Sequence, residues 1–468
     1  MHGRFRALFA ALLVAIASLG GAIFLAHARA DQADSALVDR ASAPLDLRAL
    51  LAGAGGSDQH LLDLAFTKVE DVYYKPVTAQ LLLNGEQQKM AAYLKAHGIR
   101  NPQIPKFVAT GDRMRDGRLL DKNLELAESL YGKRVSPTEL TQAAVSGMLD
   151  SLGDPYTTYL SADEINGLEE SLRGGDFGGI GVYIIQDPRT KSVLVDPIEG
   201  TPADKAGIKP GDEIMRVNGT PARSLSLDEV ERLIRGPVGT PVVLLIHERA
   251  TRKTRSVTVT RGHIFVPSVH AKMEDGYDYV RLSDFGQTSY VEVRKALLEG
   301  KSHRARGYIL DLRNNGGGLL DAAVDISSLF IPQGTIVSTI DRDGLRDSRS
   351  ATNVSIGVAP LVVLVNKYTA SASEITAGAI QDYRVGTLIG TRTFGKGVVQ
   401  SIYDLGPDQG ALKITTARYV TPLGRDIHHK GIEPDVRIQQ AIEPYVIDTP
   451  KDLQLLAAKD YLRRVARR

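Results

Sequence analysis

Leu361-Val362-Val363-Leu364-Val365-Asn366-Lys367-Tyr368-Thr369-Ala370-Ser371-Ala372-Ser373-Glu374 is the stretch on which the fold turns. Its five apolar residues, three of them valine, are too short a run for a helix and are stopped by Asn366. They read as a strand buried on both faces. Small residues follow, then a helical pattern from Ser373 to Gln381. Working outward, strands are predicted at Val280–Leu282, Tyr308–Leu312 and Thr387–Ile389, with helices at Val291–Leu298 and Leu319–Leu329. Strands alternating with helices mean an α/β core with a largely parallel sheet, whose ligands sit at the carboxyl ends of the strands.

Two strand ends carry conspicuous loops: Asp311-Leu312-Arg313-Asn314-Asn315-Gly316-Gly317-Gly318 and Asn366 to Glu374. In the second, Ser371 has two readings. It can be a helix N-cap, with Ser371-x-x-Glu374 as a capping box. It can also be a nucleophile at a sharp strand-to-helix turn that faces the helix dipole, although the loop by itself favours the cap. No histidine lies in a G-x-S-x-G or H-E-x-x-H context, so a proton acceptor must be sought elsewhere. Thr393-Phe394-Gly395-Lys396-Gly397-Val398-Val399-Gln400 offers one lysine between glycines. A solvated turn lysine is one reading; a desolvated lysine with a lowered pKa, able to take a serine's proton, is the other. A phosphate-binding loop is disfavoured, because Gly397 replaces the Ser/Thr that would hold Mg²⁺. His428-His429 reads as an exposed turn, adjacent side chains being expected to point apart.

Before this core, Gly178 to Arg261 reads as short strands (Val182–Ile185, Val193–Val195, Asp212–Val217, Val242–Ile246, Arg255–Val259) around one helix, Leu227–Ile234. From Leu61 to Leu172 the apolar spacing is helical, broken between Gly98 and Gly117. At the N-terminus, Arg4 and Arg6 precede an uncharged run from Ala7 to Ala26, then Ala28-Arg29-Ala30. That is an export signal, either cleaved at Ala-x-Ala or retained as an anchor, since the run reaches the ~20 residues that span a bilayer. The expected location is the periplasm or the outer face of the cytoplasmic membrane. With 57 basic and 55 acidic residues the net charge is +2, which gives no global attraction to nucleic acid. The absence of cysteine excludes disulfides, thiolate metal sites and a cysteine nucleophile.

The ordered motifs from about Val145 to Val436 resemble the carboxyl-terminal processing peptidases, the tail-specific serine proteases of family S41. They run through Asp154-Pro155-Tyr156-Thr157-Thr158-Tyr159-Leu160, Gly178-Gly179-Ile180-Gly181-Val182, Ala206-Gly207-Ile208-Lys209-Pro210-Gly211-Asp212 and Leu310 to Asn315. Thr369 to Ile375, Thr393 to Gly397, Gln400 and Lys430-Gly431-Ile432-Glu433-Pro434-Asp435 complete the set. The resemblance implies a multidomain α/β protein. Its parts are an export segment (1–30), a helical N-terminal region (31–172), an inserted PDZ domain (173–262), a serine protease core (263–440) and a helical C-terminal tail (441–468). It further implies Ser371 as nucleophile, Lys396 as general base 25 residues on, and Gln400 as the residue orienting the lysine. Backbone N–H groups of Ala372 and of Gly317 or Gly318 would form the oxyanion hole. Asp311 and Arg313 are expected to stabilise the loop rather than react.

By the same comparison Gly179, Ile180, Gly181 and Val182 would receive the terminal carboxylate of a protein tail. The implied partners are C-terminal tails of exported or envelope proteins, an adaptor, and a second copy of the chain through the helical region. No metal or organic cofactor is expected. The rival reading is a catalytically silent PDZ scaffold of the cell envelope. Asn314-Asn315-Gly316 departs from the family's usual Asn-Asn-Pro, and Val77 to Val135 reads as an insertion of unassigned role.

Overall fold

The computed structural model describes residues 23–24, 59–172, 176–187, 190–358, 360–406, 409–440 and 447–466. Apart from Ile23–Phe24, the expected export segment lies outside the described residues, as does the Gly174-Gly175 junction after the helical region. Among the described residues no helix is long and apolar enough to cross a membrane.

The predicted parallel sheet forms. Its order is Val269–Glu274, Tyr277–Leu282, Tyr308–Asp311, Leu361–Val365, Thr387–Gly390, Val436–Arg437, and every pairing after the first is parallel. The alternation of a strand explains why all five residues of Leu361–Val365 are apolar. Leu361, Val363 and Val365 face a core shared with the helices Ser289–Ser302, Leu320–Ser328 and Ala372–Asp382. Val362 and Leu364 face the opposite side, against Leu455, Ala458 and Leu462 of the helix Leu453–Val465. Within the expected C-terminal tail, Leu453–Val465 is helical, and it forms the second covering layer of this α/β core.

A second sheet was not legible in the sequence. It contains Val398–Asp404, Ala411–Val420, Thr335–Ile340 and Arg346–Ser350, with Thr158–Leu160 paired to Ala411–Lys413 and Ile23–Phe24 to Gln400–Ser401. One of its faces is covered by the helices Gln59–Val72, Ala79–Ala96, Arg113–Tyr131 and Pro137–Asp150. Their apolar side chains share one core with Val398, Leu405, Leu412 and Ile414. The helical region thus contributes a strand and a covering layer to this second sheet.

The segment expected to be an inserted PDZ domain has its own core. Its sheet runs Val182–Gln186, Val193–Pro197, Asp212–Val217, Pro241–His247, Thr254–Thr260, so Val182–Gln186 is an edge strand, and it packs against the helix Leu227–Ile234. Entry and exit are joined: Asp176–Gly179 pairs antiparallel with Gly262–Phe265 as a two-stranded ribbon.

Candidate active site

The register Asp311↔Leu364 brings the two conspicuous loops out side by side at the carboxyl ends of neighbouring strands. They are laced together. Ala370 N–H donates to the Asn315 carbonyl at 3.0 Å, as does the Ser373 hydroxyl, and Thr369 Oγ1 donates to the Leu312 carbonyl at 2.8 Å. Gly317 stands so close to Ser371 that a Cβ on it would lie 2.8 Å from Ser371 Cβ and 2.9 Å from Ala372 N. Its φ of 108° likewise admits only glycine without strain. Glycine is required here by contact, not by looseness.

The backbone at Ser371 bears on its two readings. Ser136 and Ser226, which cap other helices of this chain, have the extended backbone of an N-cap, with φ/ψ of −68°/123° and −67°/162°. Ser371 stands at φ 58° and ψ −119°. That left-handed conformation costs a non-glycine residue about 1–3 kcal/mol, and such strain gathers at functional sites. Capping does not need it; a sharp turn that presents a hydroxyl does.

Two buried groups bring Ser371 and Lys396 together. The Glu374 carboxylate accepts from Ser371 N–H at 3.0 Å and from Lys396 N–H at 2.8 Å through one oxygen. Through the other it accepts from Gly395 N–H at 2.8 Å and from the Thr393 hydroxyl. Burial pushes the Glu374 carboxyl up and these donors pull it back. On the carbonyl side, the Tyr419 hydroxyl lies 2.6 Å from the Lys396 oxygen and 3.1 Å from that of Ser371. Glu374 was read in the sequence as a capping residue, and Tyr419 carried no signal.

Lys396 is 4 % exposed. Desolvation, helped by the positive charge of Lys413, lowers its pKa from the usual 10.5 to about 7, against the opposing pull of Asp154 and Glu374. Its Nζ lies 4.3 Å from the centroid of the Tyr156 ring. Gln400 follows at a β-bulge between Val399 and Gln400, a device that re-aims side chains beside sites. It is fully buried; its Nε2 donates to Thr415 Oγ1 at 3.3 Å and its Oε1 has no partner.

Of the two glycines considered for an oxyanion hole, Gly317 already donates its N–H to Asn315 Oδ1 at 2.8 Å. Among the described residues no acceptor stands against the N–H of Gly318 or against that of Ala372, the first residue of its helix, which leaves these two donors open. Asp311 and Arg313 are buried structural groups. The Arg313 guanidinium bridges Asp311 at 2.6 Å and Asp452 at 2.7 Å, tying the glycine loop to the cap of the C-terminal helix. In the PDZ domain Gly181 has φ 75° and accepts at its carbonyl from Thr201 Oγ1, which places the Gly179 to Val182 turn at the start of the edge strand. His428 and His429 lie in a turn, as expected, but their side chains do not point apart: the ring centroids are 3.8 Å from each other with the planes tilted by 42°.

Peptidase family S41 matches residues 276–438, a PDZ domain matches 193–248, and the N-terminal domain of the activating protease CtpB matches 108–164. Of the stretch Val77 to Val135 that reads as an insertion, residues 108–135 fall within this last match. The sequence is 40% identical over 349 residues to a carboxyl-terminal-processing protease of Synechocystis sp., covering 73% of this chain and 81% of that one. It is 36% identical over 336 residues to the carboxy-terminal processing protease CtpA of Bacillus subtilis, covering 71% of each. Among solved structures, a photosystem II D1 C-terminal processing protease aligns over 86% of this chain and 100% of that chain, at 30% identity and a TM-score of 0.48.

Proposed function

The chain belongs to the carboxyl-terminal-processing protease family, and on that premise we propose that it is an exported serine endopeptidase acting on the C-terminal tails of envelope proteins. Ser371 is the nucleophile. Its Oγ–H proton passes to neutral Lys396 Nζ as Oγ bonds to the scissile carbonyl carbon, and the oxyanion is held by the N–H groups of Ala372 and Gly318. The Lys396 ammonium returns that proton to the leaving amine as the C–N bond breaks. Water then repeats the sequence on the acyl-enzyme, restoring the serine hydroxyl and releasing the acid. Gln400 orients the amine through its unpaired Oε1. The tail lies along the edge strand Val182–Gln186 beside the helix Leu227–Ile234, with its carboxylate at the Gly179 to Val182 turn.

One observation carries this reading: Glu374 and Tyr419 tether Ser371 and Lys396 by their backbones while the lysine side chain is desolvated. The export assignment is supported by the basic and apolar N-terminal pattern. The test is hydrolysis of a protein with a free C-terminal tail by wild type, Ser371→Ala and Lys396→Ala. Activity lost in both variants with folding kept supports the dyad, and near-normal hydrolysis by Lys396→Ala overturns it. A fluorophosphonate that labels wild type but not Ser371→Ala separates the enzyme from a silent scaffold.

A further inference from the structure

The motif Asp154-Pro155-Tyr156-Thr157 lies between the helix Pro137–Asp150 and the strand Thr158–Leu160, outside the protease core in sequence. It is a self-tied turn. Asp154 Oδ1 accepts from Tyr156 N–H at 3.0 Å and Asp154 Oδ2 from the Thr157 hydroxyl at 2.8 Å. Thr157 Oγ1 in turn accepts from Thr415 N–H at 3.0 Å, and the following strand pairs Thr158 with Lys413. The turn is thereby sewn to the strand beside the one that bears Gln400. What it delivers is an aromatic face, with Lys396 Nζ 4.3 Å from the ring centroid.

We propose that Tyr156 is a positioning residue for the lysine base: its ring covers Lys396 Nζ against water and its π face holds the ammonium formed when Lys396 takes the serine proton. The inference rests on the Ser371–Lys396 reading above. A neutral amine gains little from a ring face, whereas an ammonium is drawn to the ring quadrupole, more strongly when desolvated. The attraction is thus greatest in the state that develops during attack, which is the state catalysis must stabilise. The hydroxyl is not the acting group. Burial and the carboxylates of Asp154 and Glu374 keep it protonated.

The other charges acting on Lys396 come from three elements. Lys413, on the strand Ala411–Val420, disfavours the ammonium. Asp154, in the same turn as Tyr156, favours it, as does Glu374 in the serine helix. Tyr156 is a contact that discriminates between the two forms of the amine without adding a charge. The helical region therefore supplies part of the catalytic environment, and the core 263–440 alone lacks it.

The test replaces Tyr156 in the full chain by Phe, 3,5-difluorophenylalanine and pentafluorophenylalanine, which keep the ring shape while weakening and then reversing its quadrupole. Two quantities are read: the pH limb of kcat, and the titration of the Lys396 ε-carbon by ¹³C NMR in the Ser371→Ala background. Tyr156→Phe keeps the wild-type limb and a rate within about twofold. Each fluorination step moves both limbs to lower pH, by about one unit in total, with a fall in plateau rate as the base weakens. Tyr156→Ala admits water and moves the limb upward. Limbs indifferent to fluorination, or a Tyr156→Phe variant that loses the wild-type rate, overturn the inference. A wild-type limb that persists in Lys396→Ala overturns the dyad itself, so the two failures are told apart.

Discussion

The site has two halves built in different ways. The Ser371 half is a single unit, two adjacent parallel strands with their loops, pinned by Asn315, Thr369 and the buried Asp311–Arg313–Asp452 group. The Lys396 half is assembled from three distant segments: the Thr391 to Gly397 crossover between the sheets, the strand pair Val398–Asp404 and Ala411–Val420, and the Tyr156 turn. The first half fixes where a nucleophile and an oxyanion would stand. The second sets the charge of the amine, and it does so through packing that draws on residues from Asp154 to Lys413. Geometry is thus held locally and protonation is held globally, so damage far from Lys396 reaches the site through its pKa.

The largest expected effect tests whether the halves act as one device. Ser371→Ala and Lys396→Ala should each lower kcat by about 10⁴-fold or more, and the double variant should be no worse than the poorer single. Multiplying losses would mean that the halves work independently. Next comes the anchor of the first half. Arg313→Met leaves Asp311 and Asp452 buried without their cation, which should cost about 3–5 kcal/mol of stability in chemical denaturation. A change under about 1 kcal/mol would show that the loop is held by other contacts.

The lysine half should show the opposite sign. Lys396 has a folded pKa of about 7 against 10.5 unfolded, so between these values the unfolded chain binds the extra proton. Its burial therefore costs stability in full below pH 7, and the cost fades as pH rises towards 10.5. Lys396→Met should melt higher than wild type at pH 6 and converge with it near pH 10. Equal melting at both ends would place the lysine in water. A smaller effect comes from the contact between loops. Gly317→Ala puts a methyl 2.8 Å from Ser371 Cβ at a φ of 108°, and should lower kcat by about 10²-fold with KM little changed.

These differences also explain what could be read in the sequence. The first half was legible because its signals are local: a two-face apolar strand, a glycine run, and a serine three residues before a glutamate. The PDZ strands and the helix Leu227–Ile234 were legible for the same reason. The antiparallel sheet was not, since Arg346–Ser350 carries no apolar residue and takes its register from Thr335–Ile340. The spacing of Ser371 and Glu374 announces their own contact, but nothing in the sequence announces that Glu374 also reaches Lys396 or that Tyr156 and Tyr419 join them. Hub residues of this kind are defined by tertiary contact, and a carboxylate that caps one helix looks the same in sequence as one that also ties a distant loop.

The smallest effect concerns Gln400, where the two halves make different demands on one side chain. Its Oε1 is buried without a partner, an arrangement that costs a folded protein about 1–3 kcal/mol. If the amide is kept to receive a Lys396 N–H, that cost is borne for catalysis. Gln400→Leu then removes the unpaired oxygen at the loss of the 3.3 Å bond to Thr415. Stability should stay level or rise, while kcat falls about tenfold because the amine is no longer aimed at Ser371. Gln400→Glu should act differently, since an anion beside Lys396 favours the ammonium and moves the pH limb upward. A Gln400→Leu variant that loses stability and keeps its kcat would make Gln400 a packing residue, and would leave Tyr156 and Glu374 as the groups that place the lysine.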